Sequence, residues 1–370
     1  MPQLGRLSSR SLSGLVPNPP SSPLFNTLTW TTYTVPTANA TIGQGSIVSS
    51  GGSVFFNVTP SGQSNLSTVA NKVYTLSSGV VSLKSLPTPS NYSNCYPHRI
   101  VNSGTRIVAL ALGWDNSYYG VWYSDDGGAT FNIQNYTPAS FIPTGHSLTS
   151  FSYANGNYFI FTRSGTSNNW ITSYTTSSDG ITWGSLAPIA QNSLTETLGF
   201  NSTAYDPSSQ TLIGTSGSTS TRYYKSNTSG SINPTGVVGT VGSVPLARSC
   251  FWAPELGVFG AANFGSGAYY ITPANVAISA PAWTTWPAPG SSLDQGCIAS
   301  VSGKTSVIYF TPITKTNPAR ISFDGGLTFA NSSLPDAGTY YYVPFSTNGK
   351  FYLVQNLATA SFNIYEGVLS

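Results

Sequence analysis

Residues 107–131 read IVALALGWDNSYYGVWYSDDGGATF. Ile107–Leu112 is an unbroken apolar run, and Tyr118–Tyr123 is a run of aromatic and β-branched residues. A Gly-, Asn- and Ser-containing segment separates them, which is the pattern of two strands and a connecting turn. The second run leads into Ser124-Asp125-Asp126-Gly127-Gly128-Ala129-Thr130-Phe131. The chemistry of this octet predicts a tight hairpin. Its Asp126 carboxylate suits backbone N–H groups across a turn, and its glycines supply positive φ. Ser124 and Thr130 carry hydroxyls that tie the two ends, and Phe131 is an apolar anchor.

The same order recurs along the chain. Apolar second strands appear as SVFFNVT, NYFIFTR, QTLIGTS, LGVFGAAN, TSVIYFTP and KFYLVQN. Aromatic-rich third strands follow as KVYTLS, ITSYTTS, RYYKSN, GAYYITP, ARISFDG and FNIYEG. Repeat starts fall near Gly43, Tyr96, His146, Glu196, Leu246, Leu293 and Ala337, a period of roughly 50 residues. Helical periodicity is nearly absent. Four short strands per unit at this period predict an all-β fold, a seven-bladed β-propeller of four-stranded antiparallel blades. The last unit stops after its third strand. Thr29–Val35, in LTWTTYTVP, resembles the fourth strands and is expected to complete the last blade, closing the ring and hiding sheet edges. Residues 27–370 then form the propeller, and residues 1–26 an extended N-terminal arm with polyproline-type stretches.

Two further turns match the first, Ser177-Ser178-Asp179-Gly180-Ile181-Thr182-Trp183 and Ser322-Phe323-Asp324-Gly325-Gly326-Leu327-Thr328-Phe329. The first and third fit Ser-x-Asp-x-Gly-x-Thr-aromatic, and the second is one residue shorter. This resembles the Asp-box, or bacterial neuraminidase (BNR) repeat, of sialidase-like propellers. The resemblance covers three units at residue level. It implies a structural role for Ser124, Asp126, Gly128, Thr130, Phe131, Ser177, Asp179, Gly180, Thr182, Trp183, Ser322, Asp324, Gly326, Thr328 and Phe329. It does not specify function, because such boxes occur in enzymes, lectin-like modules and sorting receptors.

Charge limits what the ring can do. The 370 residues include 14 Lys or Arg and 11 Asp or Glu, so 7% are charged, against about 25% in ordinary domains. No clustered basic face exists, which argues against nucleic-acid binding. No long uninterrupted apolar run suggests membrane insertion. The N-terminus lacks the apolar stretch of a secretory signal. Cys95, Cys250 and Cys297 are odd in number and far apart, so no disulfide framework is indicated. No motif calls for a cofactor.

An enzyme reading has few residues to draw on. The sialidase-like resemblance implies an arginine triad, a Tyr–Glu nucleophile pair and an acid Asp, and a three-arginine clamp is not evident. General glycoside hydrolysis needs two nearby carboxylates. The best set is Glu196 and Asp294, with Arg99 and Arg248 near first strands that line the channel. His98 and His146 begin adjacent repeats and are expected at one end of the channel. There, with Glu196 or Asp294, they are also the one candidate metal set, although ordinary hydrogen-bonded histidines fit better.

The neutral, Tyr-rich composition suits polar contacts and sugar stacking. Trp114, Asn116 and Tyr118, in WDNSYYG, and Asn168, Asn169 and Trp170, in SGTSNNW, fall between second and third strands of adjacent units. They form an expected exposed recognition patch. Few charges, one Met and much Ser, Thr, Gly and Asn resemble bacteriophage tail and virion proteins. The expectation is a non-enzymatic virion-associated protein, a tail or surface component. Its arm docks on other virion subunits and its loops recognise a host receptor or glycan. The alternatives are a sialidase-like or other glycoside hydrolase and a secreted, extracellular lectin-like propeller.

Overall fold

The computed structural model describes residues 27–36, 40–41, 47–57, 59–60, 69–165, 171–188, 200–216, 222–225, 247–254, 256–263, 267–272, 284–286, 293–299, 306–312, 317–332, 334–335, 342–347, 349–355 and 361–370. They form antiparallel sheets arranged as a β-propeller. Sheet 1 runs Ile47–Ser50, Ser53–Phe56, Lys72–Ser77 and Val80–Ser85. Sheet 2 runs Tyr96–Asn102, Ile107–Leu112, Tyr118–Ser124 and Asn132–Asn135. Sheet 3 runs Ser147–Ala154, Asn157–Ser164, Ile171–Ser177 and Ala187–Pro188. Sheet 5 starts at Ala247–Ala253 and sheet 6 at Leu293–Ala299, each also with four strands.

Sheet 7 joins the two ends of the chain. Tyr342–Thr347, Lys350–Gln355 and Ser361–Leu369 are completed by Leu28–Pro36, which pairs along its whole length with Ser361–Leu369. Thr27 and Ser370 extend this ladder with reciprocal backbone bonds of 3.1 and 3.2 Å. The two outermost strands therefore hydrogen-bond each other, and the ring shuts without a covalent join. Sheet 4, Phe200–Asp206, Thr211–Ser216 and Arg222–Lys225, has three strands among the described residues. The expected seven four-stranded blades are thus met by six, because residues 226–246, which follow the third strand of sheet 4, lie outside the described residues.

Burial explains the apolar runs. Ile107–Leu112 and Val307–Pro312 are buried at every position, because a second strand has a neighbouring sheet against both faces. No alternation survives in such a strand. Outer strands meet water and alternate again, as in Asn132–Asn135. Trp122 is fully buried between sheets, and its indole N–H donates to the Pro87 carbonyl at 2.7 Å. The three cysteines are free and buried, and burial pushes the Cys95 thiol up to about 12.

First strands of successive sheets neighbour one another, from Ile47–Ser50 round to Tyr342–Thr347 and back. Uncharged side chains tie most of these junctions. Asn102 Nδ2 donates to the Ser49 carbonyl at 2.5 Å, and the Ser150 and Thr203 hydroxyls meet at 3.4 Å. The Cys250 N–H donates to Ser202 Oγ at 3.1 Å, and the Gly296 N–H to Ser249 Oγ at 2.7 Å. The Ser346 hydroxyl donates to the Ile298 carbonyl, and the Ser49 and Thr347 hydroxyls bond each other. Each contact contributes about 1 kcal/mol. A Ser- and Thr-rich chain with little charge can hold a ring this way.

Candidate recognition cleft

In the turn of sheet 2, Asp126 accepts from Ser124 Oγ at 2.8 Å, the Thr130 N–H at 2.9 Å and Thr130 Oγ1 at 2.5 Å. Ser124 Oγ in turn accepts from the Gly128 N–H at 2.8 Å. Asp324 repeats this with Ser322, Thr328 and Gly326. In the shorter turn, Asp179 accepts from Ser177 Oγ and from the Ile181 and Thr182 N–H groups.

These hydrogen bonds stabilise the ionised form. The Thr130 hydroxyl and N–H hold Asp126 well below the usual carboxylate range. Burial pushes Asp179 and Asp324 up, but their hydrogen bonds outweigh it, leaving Asp179 at about 2 and Asp324 lowered. Phe131 and Phe329 anchor their turns edge-on against Phe55 and Trp286 of the preceding sheets. Trp183 packs on Phe141 and Phe151.

The other described carboxylates are committed too. Asp115 accepts from the Ser117 N–H at 3.1 Å and the Tyr119 hydroxyl at 2.7 Å. Asp125 pairs with Arg106, whose Nη1 also donates to the Asp179 carbonyl of the next sheet. Asp206 accepts from Ser208 and Ser209. Glu366 accepts from Lys350 Nζ and the Tyr352 hydroxyl, both at 2.9 Å. Glu196 lies outside the described residues, as do the side chains of Asp294 and Arg248. Of the set for glycoside hydrolysis, only the side chain of Arg99 is therefore described. Among the described residues no three His, Cys, Asp or Glu side chains gather to hold a metal.

The rim opposite the acidic turns carries a cleft of about 390 Å³ between sheets 2 and 3. Its walls are Asp115–Ser117, in the loop between the second and third strands, and the segment Ile142–Leu148, and Tyr96, His98 and Tyr118 line its inner part. Asn116 shapes the first wall with φ +62° and an N–H bond to the Gly113 carbonyl, and Gly145 shapes the second with φ +88°. His98 Nδ1 bonds the Tyr118 hydroxyl at 3.0 Å, and His146 Nδ1 the Thr162 hydroxyl at 3.1 Å.

Burial, with Arg99 adjacent, pushes His98 down to about 3, and burial also lowers His146. Both imidazoles are neutral at pH 7. Desolvation raises Tyr96 to about 12 and raises Tyr118 further. Asp115 also lines the cleft, but its carboxylate is engaged by the loop. Apart from Asp115, the cleft thus offers neutral donors and acceptors over an inner part lined by Tyr96 and Tyr118.

The two histidines do meet in one site. The patch of Trp114, Asn116 and Tyr118 is corrected in part. Tyr118 is buried, 3% exposed, turned under the first strand toward His98. Trp114 is half-buried and packs on a core cluster that includes residues of sheets 2 and 3. Asn116 alone of the three is exposed. Asn168, Asn169 and Trp170 lie outside the described residues. Reading the sequence missed Tyr96 and the wall Pro143-Thr144-Gly145. The one local signal was the Pro-x-Gly turn before His146.

No family model matches this chain, and no curated protein matches it. Among solved structures, one described as YCF48 bound to D1 peptide matches with a TM-score of 0.57. It is 13% identical and covers 91% of this chain and 94% of its own. At that identity the likeness concerns fold alone, and the fold it shares with this chain is the β-propeller.

Proposed function

We propose that the chain is a non-catalytic recognition propeller of the Asp-box, or BNR, type. It serves as a virion-associated component, part of a bacteriophage tail or surface, that recognises a host-surface glycan and assembles with other virion subunits. One observation carries the reading. Every described carboxylate is committed to a turn or an ion pair, and apart from the loop-bonded Asp115 the described cleft presents neutral imidazoles, phenols and an amide. Such groups match the hydroxyls and apolar faces of a neutral sugar. The residue pattern of the three acidic turns supports the Asp-box assignment, and the scarcity of charge supports the virion context. Residues 1–26 are the docking arm.

A panel of immobilised neutral oligosaccharides tests the site. The purified protein is expected to bind a subset without cleaving it, and Asn116→Ala combined with His146→Ala to weaken binding at least tenfold. Hydrolysis of any panel member, or binding indifferent to both changes, overturns the reading. The YCF48 structure has a peptide bound, so a peptide array run in parallel gives the competing outcome. Mass spectrometry of purified particles tests the virion placement. Absence of the chain from particles, with free protein in the medium, overturns it.

A further inference from the structure

The first strand of sheet 2 contains a bulge. Its register with the second strand shifts between His98 and Ile100, leaving Arg99 as the extra residue. Arg99 has φ +64°, whereas the other described non-glycine residues at positive φ are Asn, Ser or Gln. A long side chain is a poor choice for that backbone, and bulges re-aim side chains beside functional sites. The device recurs on the first strands of sheets 3 to 6. Their registers shift between Leu148 and Ser150, Phe200 and Ser202, Ala247 and Ser249, and Leu293 and Gln295.

Arg99 is half-buried, and its guanidinium reaches across to the next first strand. Its Nη2 donates to the Thr149 carbonyl at 3.3 Å, a long bond, and its buried Nε has no partner among the described residues. No described carboxylate lies against it. The other junctions between first strands that show a side-chain bond use hydroxyl or amide groups. A tie between strands therefore does not need a cation. A guanidinium that is partly desolvated and not neutralised by any described group is a strong oxyanion receptor.

We propose that Arg99 forms an oxyanion site between the first strands of sheets 2 and 3, taking one carboxylate or phosphate group of a small ligand. The site does not depend on the glycan reading, because Arg99 is not among the residues lining the cleft. Ligand charge is the discriminating chemistry: sodium acetate and sodium phosphate serve as probes, and sodium chloride holds ionic strength constant.

Isothermal titration of the full chain is expected to show saturable binding of at least one probe. The stronger probe distinguishes a carboxylate from a phosphate ligand. Arg99→Gly, which suits φ +64°, is expected to lower affinity at least tenfold with an unchanged or raised melting temperature. Arg99→Asn also tolerates that φ and serves if the glycine variant fails to fold. Arg99→Lys is expected to bind more weakly than wild type. Absence of saturable binding beyond chloride, or binding retained in both the Gly and Asn variants, overturns the proposal. So does a Glu196→Gln variant that binds where wild type does not, since an internal carboxylate would then occupy the guanidinium.

Discussion

The two rims of the ring follow opposite rules. On the rim of the acidic turns, Asp126, Asp179 and Asp324 each accept several short hydrogen bonds, and Gly128, Gly180 and Gly326, at positive φ in those turns, lie against a neighbouring sheet. Away from that rim, Arg99 sits at mid-strand with φ +64° and an Nε without a partner among the described residues, five first strands carry a bulge, and a cleft opens between two loops. Stability is concentrated in the acidic turns and adaptability away from them. Polar groups bonded within one hairpin rigidify it, while strained backbone persists where surrounding structure over-determines it and clusters at functional sites.

The comparison breaks most sharply at Gly128. A Cβ there would lie 2.1 Å from Phe55 Cζ, at φ +87°. Backbone strain and overpacking add, so Gly128→Val is expected to cost roughly 3 kcal/mol in urea unfolding. A neutral result would mean the acidic rim is as plastic as the other. Next is Asp324→Ala, which strands the Ser322 and Thr328 hydroxyls and the Thr328 N–H. About 2 kcal/mol of destabilisation is expected, read by the same measurement.

Acid tests the rim as a whole. The folded-state values of Asp126, Asp179 and Asp324 lie below the ordinary 3.8, Asp179 at about 2. Their contribution is therefore complete above the unfolded value and lost as pH falls through the folded one. Stability is expected to be flat with respect to these groups from neutral pH to about 5, and to fall from about 4 toward 2. Asp179→Asn should shallow that fall. The smallest effect is expected for Arg106→Ala. Its ion pair with Asp125 is half in water, so about 1 kcal/mol or less is lost, and the loss should shrink in high salt. A larger, salt-insensitive loss would put the weight on its bond to the Asp179 carbonyl instead.

Much of the ring was legible residue by residue. The run Ile107–Leu112 announced an apolar second strand, and LTWTTYTVP announced the strand that completes the last sheet. The three Ser-x-Asp turns announced their own hydrogen bonds. The site was less legible. WDNSYYG looked like an exposed aromatic loop, yet it leaves only Asn116 in water among the three patch residues. The histidines were placed at one end from repeat spacing alone, and that end proved to be a cleft, but its second wall was not foreseen.

The order of strands, the chemistry of their turns and the scarcity of uncommitted carboxylates are written in the residues themselves. Those are short-range matters, set by side-chain alternation, positive-φ glycines and hydroxyls within a few residues of their partners. Only the tertiary structure decided which first-strand hydroxyl meets which neighbour, where each bulge falls, that Tyr118 turns inward to His98, and that Arg99 is left without a described counter-charge. These depend on how one sheet packs against the next around a closed ring, and contacts across some 50 residues of sequence leave no local pattern to read.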